Sequence, residues 1–314
     1  MRILVLGAGG TGGYFGGRLA QSGADVTFLV RPARAVQLAA HGLRIRSPLG
    51  DADVAVAHVL AEDLAPLVKG NPFDLVLLSC KAYDLDSSLD AIAPAMGAST
   101  TLLPILNGLL HFDQLDARFG RGRVLGGLCF ISATKGQNGE ILHLAKPASI
   151  TFGERDGNPE SARVQAFAAL CERAGIEHLA SSDIHQQSWI KYSFLTALAA
   201  GTCLMRASVG DIVANEGGTE FMTRLYAECV AVAEAAGQPI PREKQEFALG
   251  TLTQEASPVK ASMLRDLEAG QCVEAAHIVG DMLHRAQRFG IAAPLLGAAW
   301  CHLQAYEAGL LERT

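Results

Sequence analysis

The chain has 314 residues, of which 49% are hydrophobic and 18% charged, and its formal net charge is −6. Its length suits two domains, and its composition suits filled globular cores rather than a disordered chain. The negative charge without a Lys/Arg cluster argues against a nucleic-acid surface, and no apolar run approaches the roughly 20 residues that span a bilayer.

The first stretch of the chain predicts a dinucleotide site. Residues 3–6 are apolar and predict a short buried strand, and residues 13–21 predict a helix after it. Between them lies a G-x-G-x-x-G motif, formed by Gly7, Gly9, Gly10, Thr11 and Gly12. Its first glycine permits a tight turn, the second lets a pyrophosphate approach the backbone, and the last lets helix and strand pack closely. The helix N-terminus would supply N–H groups to the phosphates. The alternative is a glycine-rich turn without a ligand.

The end of the second predicted strand, residues 24–30, decides the choice of cofactor. NAD-binding sites carry an Asp or Glu about 20 residues beyond the glycines, which binds the ribose 2′-hydroxyl. Here Arg31 follows the strand. An arginine suits the 2′-phosphate of NADP, because its guanidinium makes charge-assisted hydrogen bonds with phosphate. We therefore predict NADPH; a solvated loop arginine is the alternative.

Two further apolar runs end in polar residues. Residues 74–79 and 101–106 are typical of buried parallel strands. Lys81 follows the first run and Asn107 follows the second, at the carboxyl ends where open α/β sheets bind ligands. The alternatives are a solvated loop lysine at Lys81 and a turn residue at Asn107.

The remaining strands of the first half predict a mixed edge of this sheet. Alternating polarity predicts an exposed hairpin of residues 43–46 and 53–56, and residues 124–132 and 140–143 predict an antiparallel pair. Further strands are predicted over residues 148–153 and 176–179. The predicted helices are residues 34–41, 86–96 and 159–174.

From about residue 183 the strand signals fade and helical spacing dominates. We therefore predict an α/β domain over residues 1–181 that carries the dinucleotide site, and an all-helical domain over residues 182–314. The sequence allows a homodimer through the helical half but does not establish one. Its predicted helices are residues 184–205, 217–236, 242–253, 259–267, 273–289 and 294–308.

Cysteine and histidine usage indicates the compartment. The seven cysteines are scattered and contain no C-x-x-C, which suits free thiols in a reducing cytosol. The nine histidines show no metal-ligand spacing, so we expect no metal site. The apolar run before the glycines is too short for a secretory signal, and we expect a cytoplasmic protein.

Several stretches in order resemble one family over nearly the whole chain. They are residues 3–12, 79–82, 103–108, 188–191 and 262–267, followed by Glu274. Together they resemble the ketopantoate reductase (2-dehydropantoate 2-reductase) family. The resemblance implies that residues 1–181 form a Rossmann domain that binds NADP. It also implies that residues 182–314 form a helical domain of the 6-phosphogluconate-dehydrogenase-like type for substrate binding and dimerisation, with a cleft between the two domains. The implied reaction is NADPH-dependent reduction of 2-dehydropantoate, a small 2-oxo acid, to pantoate in the pantothenate and coenzyme A pathway.

The resemblance also implies roles for single residues. Lys191 matches the catalytic lysine and would act as general acid, while Glu274 matches a glutamate that contacts substrate and cofactor. Ser262 and Asn107 match substrate-binding positions. The matched cofactor positions are Arg31, Lys81, Asn107 and Glu274.

Each of these roles has a structural alternative. Lys191 alone would be a solvated lysine on a helix surface. Glu274 would complement a helix dipole, and Ser262 would be an N-cap or early-helix serine.

The sequence departs from the family at two positions. Four and eight residues after Lys191, on the same helix face, well-studied members carry asparagines, whereas this chain has Leu195 and Ala199. Two polar substrate contacts are therefore absent, and we expect a more apolar pocket. This leaves open a paralogous NADPH-dependent reductase of another branched or bulkier 2-oxo acid. A non-catalytic NADP-binding protein is a second alternative.

Overall fold

The computed structural model describes residues 1–311 and divides into two compact units. The first unit comprises Met1–Leu106 and His111–Ile184. The second comprises Asn107–Leu110 and the chain from His185 onward. Residues 312–314, at the end of the predicted helical domain, lie outside the described residues.

The first unit alternates strands and helices. Its strands are β1 (Arg2–Leu6), β2 (Asp25–Leu29), β3 (Leu43–Arg46), β4 (Ala52–Val54), β5 (Ala57–Val59), β6 (Leu75–Leu78), β7 (Thr101–Pro104), β8 (Gly126–Lys135), β9 (Ile141–Gly153) and β10 (Glu177–Ala180). Its helices are α1 (Gly10–Gln21), α2 (Pro32–His41), α3 (Ala61–Val68), α4 (Leu85–Ile92), α5 (His111–Phe119) and α6 (Ala162–Arg173).

A five-stranded parallel sheet, in the order β5-β2-β1-β6-β7, forms the centre of this unit. Both faces of the sheet are covered. Ile3 and Val5 of β1 join a core that includes side chains of α1, whereas Leu4 and Leu6 join a second core with α3 and α4. Because successive side chains of a strand point to opposite faces, a strand that is covered on both faces reads as a continuous apolar run.

The mixed strands form a second sheet rather than an edge of the first, which corrects the predicted arrangement. Its order is β10-β9-β3-β4, and β8 pairs antiparallel with β9. Strand β9 also joins two stretches that were predicted as separate strands.

The predicted hairpin of β3 and β4 is present but is not exposed throughout. Leu43 and Ile45 are fully buried, because they occupy one face of β3 and pack onto α1. A Cβ at Gly17 would lie within 2.8 Å of both side chains. The glycines of α1 therefore let the second sheet approach the helix closely.

The second unit is helical. Its helices are α7 (Ile184–Met205), α8 (Val209–Val213), α9 (Gly218–Ala235), α10 (Arg242–Leu252), α11 (Ser262–Glu268), α12 (Asp281–Arg288) and α13 (Pro294–Leu311). The long helix predicted over residues 273–289 is present but starts later and is not α-helical throughout, because a π-helical segment, Ala276–Gly280, runs into α12. Within residues 1–311, no helix has the length and apolar character that a membrane crossing requires. The predicted fold class is confirmed.

Candidate functional site

The loop between β1 and α1 has the geometry expected for phosphate binding. Gly7 has φ +86°, and its N–H donates to the Leu29 carbonyl at 2.9 Å, which closes the turn out of the strand. A Cβ at Gly12 would lie 2.6 Å from the Gly7 carbonyl oxygen and would collide with Ser79 Oγ. A Cβ at Gly9 would meet nothing within 4 Å, so a ligand has room to reach the backbone there.

The N-terminus of α1 is also accessible to a ligand. Gly9 is the N-cap residue, and no side chain caps the helix. The first N–H groups of a helix have no partner within it, so they are available to an anion. Gly10 and Thr11 form the first turn, and a Cβ at Gly10 would come 2.6 Å from the Ala133 carbonyl of β8.

A cavity of about 430 Å³ lies at this loop. Gly7, Gly9 and Ser79 line it, as do residues at the end of β2 and on α4. Arg31 is also in its wall, as the N-cap residue of α2. The structure thus brings two of the predicted glycines and the predicted arginine to one cavity.

Arg31 forms an ion pair that the sequence analysis missed. Its Nη2 lies 3.0 Å from Asp84 Oδ2, and its side chain is 77% exposed. Asp84 also lines the cavity, so any anion that binds Arg31 meets this carboxylate. Exposed ion pairs contribute only about 0–1 kcal/mol, and a phosphate can displace one.

Lys81 lies three residues before Asp84. It is half-buried and is the N-cap residue of a short 3₁₀ turn, Ala82–Asp84. The Asp84 N–H donates to the Lys81 carbonyl at 2.9 Å. Lys81 and Asp84 therefore lie on one tight turn beyond β6.

In the helical unit, two predicted residues meet directly. Lys191 on α7 is only 7% exposed, and its Nζ donates to Asn107 Oδ1 at 3.0 Å. Gly108 follows with φ +79°, and a Cβ there would lie 2.6 Å from the His277 carbonyl oxygen. The loop that holds Asn107 thus packs against the π-helical segment.

A buried network beside Lys191 was also missed. The Tyr192 hydroxyl lies 2.9 Å from Asp281 Oδ2 and 3.0 Å from the Ile278 carbonyl oxygen, so its single proton is shared between two acceptors. Arg285 Nε donates to the same Asp281 oxygen at 2.8 Å. Burial, followed by the negative charge of Asp281, raises the pKa of Tyr192 well above its usual value. The only sequence signal was an Asp–Arg pair spaced i, i+4, which is common on helix surfaces.

Glu274 and Ser262 begin two other segments of this unit. Glu274 is 5% exposed and lies just before the π-helical segment, where its carbonyl accepts from the Ile278 N–H at 3.1 Å. Ser262 is the half-buried first residue of α11, whose N-cap residue is Ala261. Among residues 1–311, Ser262 has no hydrogen bond to Lys191, so the structure does not join these two predicted residues.

The two departures from the family pattern lie on α7 with Lys191. Leu195 is half-buried and packs against the helical core, and Ala199 is fully buried. Neither side chain can donate or accept a hydrogen bond. This face of α7 is therefore apolar beyond Lys191.

Comparison with known proteins identifies the family. The model of "Ketopantoate reductase PanE/ApbA" matches residues 3–157, and that of "Ketopantoate reductase PanE/ApbA C terminal" matches residues 183–307. An uncharacterized oxidoreductase, YkpB of Bacillus subtilis (strain 168), is 37% identical over 98% of this chain and 99% of its own.

Two relatives carry a substrate in their names. The 2-dehydropantoate 2-reductase of Mesorhizobium japonicum is 28% identical over 87% of this chain and 88% of its own. The crystal structure of 2-dehydropantoate 2-reductase from Geobacter metallireducens GS-15 has a TM-score of 0.87 and 28% identity, covering 97% of this chain and 99% of that one. These matches confirm the resemblance found in the sequence: the chain belongs to the ketopantoate reductase family of oxidoreductases.

Proposed function

We propose that this protein reduces a 2-oxo acid to the 2-hydroxy acid with NADPH, and that its substrate is 2-dehydropantoate. The product would then be pantoate, in the pantothenate and coenzyme A pathway. The observation that carries the proposal is the buried Lys191, which is hydrogen-bonded to Asn107. The names of the Mesorhizobium and Geobacter relatives support the choice of substrate.

The glycine loop fits the dinucleotide. Gly9 leaves open space and no side chain caps α1, so the backbone can hold the pyrophosphate. Arg31 would bind the 2′-phosphate, which favours NADPH over NADH. Lys81, on the turn beyond β6, would contribute a further positive charge. When it is bound, the nicotinamide supplies a hydride to C2 of the oxo acid.

Lys191 would supply the proton. As negative charge develops on the substrate oxygen, a nearby ammonium group both stabilises that charge and donates a proton. An ammonium group has three N–H donors, and the bond to Asn107 uses one of them. Asn107 therefore aims the ammonium group without neutralising it, and its own amide N–H groups would contact the substrate.

Glu274 and Ser262 would complete the site. We assign Glu274 to contacts with the substrate and the nicotinamide, and Ser262 to substrate binding. Both assignments follow the positions of these residues in the family pattern.

The alternative substrate is a more apolar 2-oxo acid. Leu195 and Ala199 favour it, since they remove two polar groups from the helix face that carries Lys191. The relative at 37% identity, which is named only as an oxidoreductase, leaves this alternative open.

The test is NADPH oxidation with 2-dehydropantoate beside a panel of branched and aromatic 2-oxo acids. Turnover with 2-dehydropantoate at the highest kcat/KM of the panel supports the main proposal. A higher kcat/KM with another acid supports the alternative. NADPH binding without turnover on any acid would indicate a non-catalytic NADP-binding protein.

A further inference from the structure

Arg34, three residues beyond Arg31, lies beneath the glycine loop. It is in the first turn of α2 and is 9% exposed. Its Nε donates to the Ala8 carbonyl at 3.1 Å, and its Nη1 donates to the Gly139 carbonyl at 2.6 Å. Ala8 lies within the glycine motif, and Gly139 lies in the turn between β8 and β9. One guanidinium therefore ties the glycine loop to the second sheet.

Within residues 1–311, no carboxylate forms an ion pair with Arg34. Its remaining hydrogen bond is to Gln37 Oε1 at 3.1 Å, and its buried Nη2 has no partner among the described residues. Burial, and then the positive charge of Arg44, lower the pKa of Arg34. A buried cation that is satisfied only by neutral oxygens is costly, and an anion nearby would offset that cost.

The cavity at the glycine loop is the place for that anion. Arg34 lines it together with Gly7 and Gly9. The dipole of α1 adds to the positive potential at the same point, since the N-terminus of that helix is open. Arg31 lies in the same wall but is exposed and already paired with Asp84. The two arginines thus differ in burial and in partner.

We propose that Arg34 is a positioning residue for the pyrophosphate of the dinucleotide, an inference that rests on the proposed function. By binding the Ala8 carbonyl it holds the glycine loop with its N–H groups available to the phosphates. Its charge, which no carboxylate neutralises in the described part of the chain, attracts the same phosphates across the wall of the cavity. Because the pyrophosphate is common to NADPH and NADH, loss of Arg34 weakens both by the same factor.

The experiment compares Arg34→Met and Arg34→Lys with Arg31→Met as the matched control. The dissociation constants of NADPH and NADH are measured by nicotinamide fluorescence, and the melting temperature is measured without ligand. We expect Arg34→Met to weaken both dinucleotides about 10- to 100-fold. Arg34→Lys keeps the positive charge but cannot bind both carbonyl oxygens in the same way, so its affinity for each dinucleotide falls by a smaller factor. Arg31→Met weakens NADPH alone.

Three results with the Arg34 variants would overturn the inference alone. Unchanged dissociation constants with a lowered melting temperature would make Arg34 a purely structural residue. A loss of affinity for NADPH alone would mean that the Arg34 charge acts on the 2′-phosphate rather than on the pyrophosphate. If Arg34→Met does not fold, an Arg34→Lys protein that folds and binds both dinucleotides with wild-type affinity would also overturn it. Wild-type protein that binds neither dinucleotide would instead overturn the proposed function, and this inference with it.

Discussion

Lys191 donates a hydrogen bond to Asn107 across 84 residues of sequence, and the two side chains are 3.0 Å apart. The acceptor is a neutral amide oxygen rather than a carboxylate. A carboxylate there would stabilise the ammonium form and make the lysine a weaker acid. This bond therefore orients the Lys191 ammonium group without bringing a negative charge of its own.

Removal of the lysine should affect turnover more than cofactor binding. Loss of a general acid typically costs roughly 10²–10⁴-fold in rate, so we expect Lys191→Ala to lower kcat by about that factor. Steady-state kinetics and NADPH titration measure the two effects. Lys260→Ala, at a partly exposed lysine of the same unit that pairs with Glu268, is the control. Near-normal turnover in Lys191→Ala would rule out the assigned role.

A carboxylate at position 107 should shift the pH dependence. Asn107→Asp places a negative charge next to Lys191, which raises the pKa of the ammonium group. The proton donor then stays protonated to higher pH. The alkaline limb of the kcat profile therefore moves to higher pH, while the maximal kcat falls. Asn107→Ala removes the acceptor without adding charge and serves as the control. A pH profile that matches the wild type would contradict the coupling of these two residues.

The Arg31–Asp84 ion pair should limit the affinity for NADPH. Asp84→Asn removes the carboxylate that competes for Arg31, and exposed pairs are worth about 0–1 kcal/mol. We therefore expect NADPH to bind up to about 5-fold more tightly and NADH to bind as before. Isothermal titration calorimetry with both dinucleotides measures this difference. Equal tightening of both would show that Asp84 acts elsewhere in the cavity.

The apolar face of α7 should determine which acid is preferred. Leu195→Asn restores an amide four residues after Lys191, so we expect kcat/KM to rise for 2-dehydropantoate relative to apolar 2-oxo acids. Leu195→Met keeps the face apolar and controls for the change of side chain. An unchanged ratio of kcat/KM values across the panel would mean that position 195 does not contact the substrate.

The Tyr192 hydroxyl should contribute to the stability of the helical unit. Tyr192→Phe removes the bonds to Asp281 and to the Ile278 carbonyl, and bonds to charged groups are worth about 1.5–3 kcal/mol. Urea unfolding should show a loss in that range. Tyr306→Phe removes the hydroxyl that donates to the Gln271 carbonyl, a neutral acceptor, and should cost less. Equal losses would mean that the charge of Asp281 adds nothing.

Local sequence was sufficient for some of these features. The glycine turn, the strand before it and Arg31 at the end of β2 lie within one short stretch, where side-chain type and spacing carry the signal. The length of α7 was also readable, because residues 184–205 contain no proline that would end the helix before Met205. Local patterns also predicted that Lys81 would follow a buried strand.

The rest depends on contacts between residues that are distant in the chain. The partner of Arg31 lies 53 positions on, and nothing local distinguishes Asp84 from other acidic loop residues. Strand β5 has only three residues, too few for a period of two to be visible. The second sheet was misassigned because polarity indicates which face of a strand is buried, but not which strand lies beside it.

The π-helical segment Ala276–Gly280 makes the side of the helix on which Glu274 lies tolerant of a change in residue count. A π turn holds one residue more than an α turn, yet each brings the chain once around the helix axis. Loss of a single codon within the segment would convert the π turn into an α turn and leave α12 intact. Glu274 would then stay on its present side of the axis, although one residue fewer would separate it from α12. The segment is therefore a point at which the chain can change in length by one residue without redirecting Glu274.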